Sequence, residues 1–180
     1  MTMSQTKKGV ISLKKGAVKI LLLVVVMVLA MFGCSSNGGN NASNGDKTFS
    51  TGLYSIVLPN NFKDKTEEGW ELIVGNKDVV VLFSSVQKKY LIENGYAEDY
   101  SRKDFTQDII GTDTVIEQSE KANYNTFSYR SQDEGGDFYF LVGVYENDKI
   151  YLVANFVCDY SKMDEYKPLF EDWAGKVKFK

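Results

Sequence analysis

The chain has 180 residues, 43% of them hydrophobic and 13% aromatic, which allows one ordinary globular domain and places the sequence outside the disordered class. Histidine is absent, which excludes Ser-His-Asp and Cys-His nucleophile pairs, His-ligated zinc or haem, and an imidazole pH switch. The formal net charge of −3 is unevenly spread: five of the 21 basic residues precede residue 20 with no acid among them, so from residue 34 onward 16 basic residues face 24 acidic ones, a net −8, which disfavours nucleic acid and anionic head groups as partners.

At the amino terminus Lys7, Lys8, Lys14, Lys15 and Lys19 lead into residues 20–32, an uninterrupted apolar run of thirteen. A basic stretch followed by a short apolar run is the layout of an export signal. As a helix the run covers roughly 20 Å against a hydrocarbon core of about 30 Å, which is short for a permanent span. It closes with Met31, Phe32, Gly33 and Cys34, followed by Ser35 and Ser36, and here the sequence resembles a bacterial lipoprotein signal peptide with its lipobox. The resemblance implies removal of residues 1–33, lipidation of Cys34 with diacylglycerol and fatty acid such as palmitate, and a mature protein held on the extracytoplasmic side of the cell membrane. Two or more acyl chains make a stable anchor where one does not. An uncleaved signal anchor and a simple secreted protein are the alternatives.

Residues 34–48 read as the lipidated cysteine and a linker: positions 35–48 hold ten Ser, Asn or Gly and no large apolar side chain. A flexible chain of that length reaches roughly 20 Å. Residues 49–180 then form a single α+β domain of 132 residues with 23 aromatics, large enough to fold without disulfides.

Strands are predicted at 54–58, closed by Pro59, and at 70–74 and 79–85, joined as a hairpin across Gly75, Asn76, Lys77 and Asp78. A helical start lies at 88–93. A helix over 101–110 carries Ser101 and Asp104 as a capping-box variant, Phe105 and Ile109 at i, i+4, and Gly111 as its stop. Three more strands, 127–132, 138–145 and 149–157, are separated by short turns and so are antiparallel neighbours. Both alternating sets of the last two are apolar: Phe138, Phe140, Val142 and Val144 against Tyr139, Leu141 and Tyr145, and Ile150, Leu152, Ala154 and Phe156 against Tyr151, Val153 and Val157. Both faces of the sheet are therefore covered. A helix over 163–174 presents Met163, Tyr166, Phe170 and Trp173 at spacings of three and four, with Pro168 expected to kink or restart it, and a short strand at 177–179 ends the chain.

This order of elements gives an α+β fold with an antiparallel sheet sandwiched between helices. The pattern is similar to the PsbP-like fold, which includes DcrB-type lipoproteins. The likeness is carried by residues 54–59 with Phe62 after them, and by Tyr166, Phe170 and Trp173 leading into Val177, Lys178 and Phe179. It implies a fold and assigns no functional residue.

The residues give little chemistry. Cys158 continues the Ile150–Phe156 alternation beside Asp159 and reads as a buried structural thiol rather than a nucleophile. Asp133, Glu134 and Asp137 surround Gly135 and Gly136, a set that suits either a hard cation or, more simply, an exposed hairpin turn. Asp108 with Asp113, and Glu67, Glu68 and Glu71, are acid clusters whose separation nothing in the sequence fixes. Tyr90, Tyr96, Tyr100, Tyr124 and Tyr160 fall in expected loops or helix ends, where they either line a groove or pack the rim. No cofactor or metal is expected. The expectation is a non-enzymatic, membrane-anchored binding or interaction module for an envelope protein or small ligand. A carboxylate-dependent envelope hydrolase and a structural subunit of a membrane complex are the alternatives.

Overall fold

The computed structural model describes residues 45–67, 71–133 and 135–180. The signal, Cys34 and all but the last residues of the expected linker lie outside the described residues. The chain folds as an α+β domain around a large antiparallel sheet, as the order of elements predicts.

Strands β1 (Asp46–Ser50) and β2 (Tyr54–Pro59) form a hairpin, followed by the short β3 (Lys63–Asp64), then β4 (Leu72–Gly75) and β5 (Val79–Gln87). Helices α1 (Lys88–Glu93) and α2 (Arg102–Ile110) come next, then β6 (Val115–Glu120), β7 (Tyr124–Asp133), β8 (Gly136–Glu146) and β9 (Ile150–Asp159). A 3-10 turn (Tyr160–Lys162) leads into α3 (Met163–Gly175), and β10 (Lys178–Phe179) closes the chain. Among the described residues the large sheet has seven strands in the order β3-β4-β5-β9-β8-β7-β6, and a second sheet has three in the order β1-β2-β10.

The alternation read from β8 and β9 divides the core in two. Tyr139, Leu141, Leu152, Ala154 and Phe156 join Tyr54, Ile56, Leu58, Phe62, Phe170 and Trp173 on one face. Phe140, Val142, Val144, Tyr151 and Val153 join Leu91, Phe105 and Ile109 on the other. Helices α1 and α2 cover the second face. The first is covered by α3, with the small sheet beside it, so the large sheet lies between helices as expected and the small sheet adds to one outer layer. Phe170 is fully buried between Trp173, Tyr166, Phe156 and Tyr139 at ring separations of 5.7–6.2 Å, an anchor whose burial contributes about 2–3 kcal/mol.

The cap of α2 forms as the sequence predicts: Ser101 Oγ accepts from the Asp104 amide at 3.2 Å, and the Asp104 carboxylate accepts from the Ser101 amide at 3.1 Å. Other expectations need correction. Residues 46–48, assigned to the linker by composition, form most of β1, because Phe49 anchors that strand in the core and carries its polar neighbours into register with Val57, Leu58 and Pro59. Strand β4 begins at Leu72, with Trp70 outside the described residues. Helix α3 runs through Pro168, since its buried Tyr166, Phe170, Trp173 and Ala174 outweigh one missing amide. Strands β3 and β6 have no counterpart in the sequence reading, because each is short or polar: β6 is Val-Ile-Glu-Gln-Ser-Glu and lies at the sheet edge.

Candidate functional site

Most of the residues singled out by sequence are structural. Cys158 is 2% exposed, and burial, reinforced by the neighbouring Asp159 carboxylate, pushes its thiol up to about 12. It is a core residue and no nucleophile near neutral pH. Asp137 is taken by Arg130, which donates from Nε to Oδ1 at 2.7 Å and from Nη2 to Oδ2 at 2.6 Å while its guanidinium lies 4.1 Å over the Tyr160 ring. Glu134 lies outside the described residues, and among the described residues no group of three acidic, Cys or His side chains is placed to hold a metal ion.

Glu71 accepts from the Ser85 amide at 2.8 Å, the Ser85 hydroxyl at 2.7 Å and the Tyr54 hydroxyl at 3.0 Å, so it locks the small sheet to β5. Glu68 lies outside the described residues. Asp108 accepts from the Tyr100 hydroxyl at 2.6 Å. The tyrosines divide by role. Tyr96 and Tyr100 meet edge to face at 4.8 Å, and Tyr100 packs on Tyr151 and Phe105. Tyr124 lies in β7 rather than a loop and stacks on Tyr145 at 5.4 Å. Tyr160 carries Arg130, and Tyr90 is 52% exposed on α1. Tyr96, Tyr100, Tyr124 and Tyr160 thus pack the rim of the two cores.

The groove lies elsewhere, along the flank of α3 where the sheet extends past the helix. Strands β8 and β9 are roofed by α3; β7 and β6 continue outward to the edge. Register places Ser128 opposite Leu141 and Glu117, and Arg130 opposite Tyr139, so Ser128 and Tyr139 are diagonal neighbours on the face toward α3. They form the floor of a cavity of about 50 Å³ with Thr126 and Leu141, while Glu117, Gln118 and Ser119 of β6 line one side and Glu171 of α3 the other. Lys167, one turn before Glu171, forms an ion pair with Glu117 across the top. A β-bulge between Val115 and Glu117 sets Glu117 in this position.

Two features set this groove apart. Ser128 is 3% exposed and Tyr139 1%, yet neither hydroxyl has a hydrogen-bond partner among the described residues. The Ser128 hydroxyl lies close enough to Tyr139 to lower its pKa, yet the two miss hydrogen-bond geometry. Buried polar atoms are satisfied in the great majority of cases, and an unmatched one leaves its desolvation uncompensated by about 1–3 kcal/mol. Burial raises the Tyr139 pKa against the opposing pull of the nearby Ser128 hydroxyl and the Lys167 ammonium, with Glu117 and Glu171 adding to the rise, so its hydroxyl stays protonated. The floor therefore offers two hydroxyls, each able to donate and accept, below a rim of two carboxylates and one ammonium. Glu171 makes no hydrogen bond or ion pair with Lys167 of the kind that occupies Glu117.

No family model matches the chain, and no curated protein matches it in sequence. Solved structures do. The cyanobacterial PsbP protein of Synechocystis, a solution structure, superposes with a TM-score of 0.54 at 19% identity over 82% of this chain and 99% of that one. A crystal structure from Bacteroides thetaiotaomicron superposes with a TM-score of 0.53 at 15% identity over 74% of this chain. This chain spans about half the length of that protein, 48%. The fold is the PsbP-like α+β fold, and identities this low carry the fold alone.

Proposed function

We propose that the protein is a lipid-anchored, extracytoplasmic binding module, and that the α3/β6/β7 groove is where it holds its ligand. The observation that carries this reading is the pair of buried, unpartnered hydroxyls at the groove floor. Leaving Ser128 and Tyr139 unmatched costs folding free energy, and a ligand that hydrogen-bonds both recovers it on binding. The lipobox ending in Cys34 and the acidic charge of the exported part support the location, with acyl chains rather than electrostatics doing the holding.

A non-enzymatic role is part of the proposal. A hydrolase using two carboxyls needs one of them held protonated by burial or a like charge. Asp64, Asp104, Asp137 and Asp159 are instead shifted downward, each chiefly by a side-chain hydrogen bond that favours the charged form.

The test is in-cell photo-crosslinking with the reactive residue placed at Gln118 on the groove rim, and at Lys77 in a distant turn as control. A specific adduct is expected from position 118 alone, and it should weaken when Ser128→Ala and Tyr139→Phe are combined. An adduct pattern identical at the two positions defeats the groove assignment. Fatty-acid labelling that survives Cys34→Ala defeats the anchor.

A further inference from the structure

We infer that the groove selects a primary ammonium group. This rests on the groove being the ligand site and adds the chemistry of what it takes. An R–NH3 cation brings three N–H donors and no acceptor, and the groove offers three acceptors in one place: Ser128 Oγ, Tyr139 Oη and the Glu171 carboxylate. Both hydroxyls are almost wholly buried and unpartnered, so they are built into the floor rather than adventitious surface groups.

Charge points the same way. Of the two carboxylates lining the cavity, Glu117 is neutralised by Lys167, which leaves Glu171 as the negative charge at the mouth. Against an anion the same Glu171 is repulsive, and the ammonium on the rim, Lys167, is already paired with Glu117. A bare divalent cation fits poorly, because hard cations need six or more oxygens with several carboxylates among them, whereas the floor here is neutral hydroxyl. Size agrees: about 50 Å³ is well above the ~10–15 Å³ that admits one water and suits a compact head group rather than a whole sugar ring.

The experiment uses the full chain in detergent micelles with 13C-labelled tyrosine, following the Tyr139 ring-carbon resonance during titration. Ethanolamine is the probe, ethylene glycol the near-isostere lacking the charge, and choline the cation lacking N–H donors. Ethanolamine should shift Tyr139 saturably in the millimolar range, with the other two at least tenfold weaker. Glu171→Gln should weaken ethanolamine about tenfold and Ser128→Ala several-fold. Glu171 is exposed, so its variant keeps the fold, and the Tyr139 resonance itself reports that. Micelles doped with phosphatidylethanolamine separate the two sources of the group: saturation at lower amine concentration than with free ethanolamine identifies a lipid head group, and the reverse a soluble amine. Equal binding of ethylene glycol, or indifference to Glu171→Gln, overturns the ammonium assignment while leaving a polar groove ligand in place. Absence of any saturable shift overturns it too, and the rim crosslinks then decide separately whether the groove binds anything.

Discussion

Tyr139→Phe should stabilise the protein, and Tyr145→Phe, the same change six residues along the same strand and on the same face, should destabilise it. Both side chains are buried on β8 toward α3. The difference is the hydroxyl. Tyr139 Oη has no partner, so removing it relieves a desolvation penalty of about 1–3 kcal/mol, with the lower end favoured because the groove opens to solvent. Tyr145 Oη donates to the Ala174 carbonyl at 2.8 Å, a bond worth about 1 kcal/mol net. Its loss is softened because the Val177 amide also reaches that carbonyl, at 3.4 Å. A kcal/mol corresponds to roughly 3–5 °C in Tm for a domain of this size. Thermal and urea unfolding of the full chain in the same detergent, followed by near-ultraviolet circular dichroism, should therefore separate the two variants by about 5–10 °C with opposite signs and unchanged m-values. If Tyr139→Phe lowers Tm as much as Tyr145→Phe does, the Tyr139 hydroxyl is satisfied in the native protein and the case for the groove fails with it.

Three further outcomes follow from the packing. Gly143→Ala should cost about 1–3 kcal/mol in urea unfolding, because its Cβ would lie 2.5 Å from the Tyr145 hydroxyl, which is buried and bonded to α3 and has nowhere to move. Native Cys158 should resist alkylation at pH 8 and react on unfolding; since its folded pKa of about 12 lies above the unfolded value, its contribution to stability is complete below about pH 8.5 and falls as pH rises through the folded value. Asp137 is held below its ordinary 3.8 by the Arg130 hydrogen bonds, so its contribution is present above that pH and disappears as pH falls through the lowered value; Arg130→Ala should flatten that part of the acid limb, measured as Tm against pH from 5 to 2.

The fold was readable where burial imposes a period. In β8 and β9 every position is committed to one core or the other, so alternation in the sequence maps directly onto the two faces. Helix α3 announced itself through Met163, Tyr166, Phe170 and Trp173, and α2 through its capping box. Edge elements were unreadable for the complementary reason. Strand β6 is held by backbone bonds to β7, with side chains largely left in water, so composition alone makes it look like a loop. Strand β1 has one buried side chain, Phe49, and five residues of pairing with β2; pairing depends on a partner the local sequence does not reveal.

The groove was missed because its sequence signal has an ordinary explanation. Along β7, Thr126, Ser128 and Arg130 form a polar row alternating with the apolar Phe127 and Tyr129, and a polar row on a strand normally means a face turned to water. The neighbouring strand contradicts that: Leu141, opposite Ser128, is buried on the same side of the sheet. A polar row directly beside an apolar one on one face means that the roof ends between them, with α3 covering β8 and stopping short of the edge. The residues at that boundary are then too covered to be solvated and too far from the helix backbone to be bonded by it. Ser128 and Tyr139 occupy this boundary, and Lys167 and Glu171 on the near flank of α3 give it charge. Replacing Ser128 and Tyr139 together with Ala and Phe should keep the fold, raise stability and abolish ethanolamine binding, a combination that a purely structural boundary would not produce.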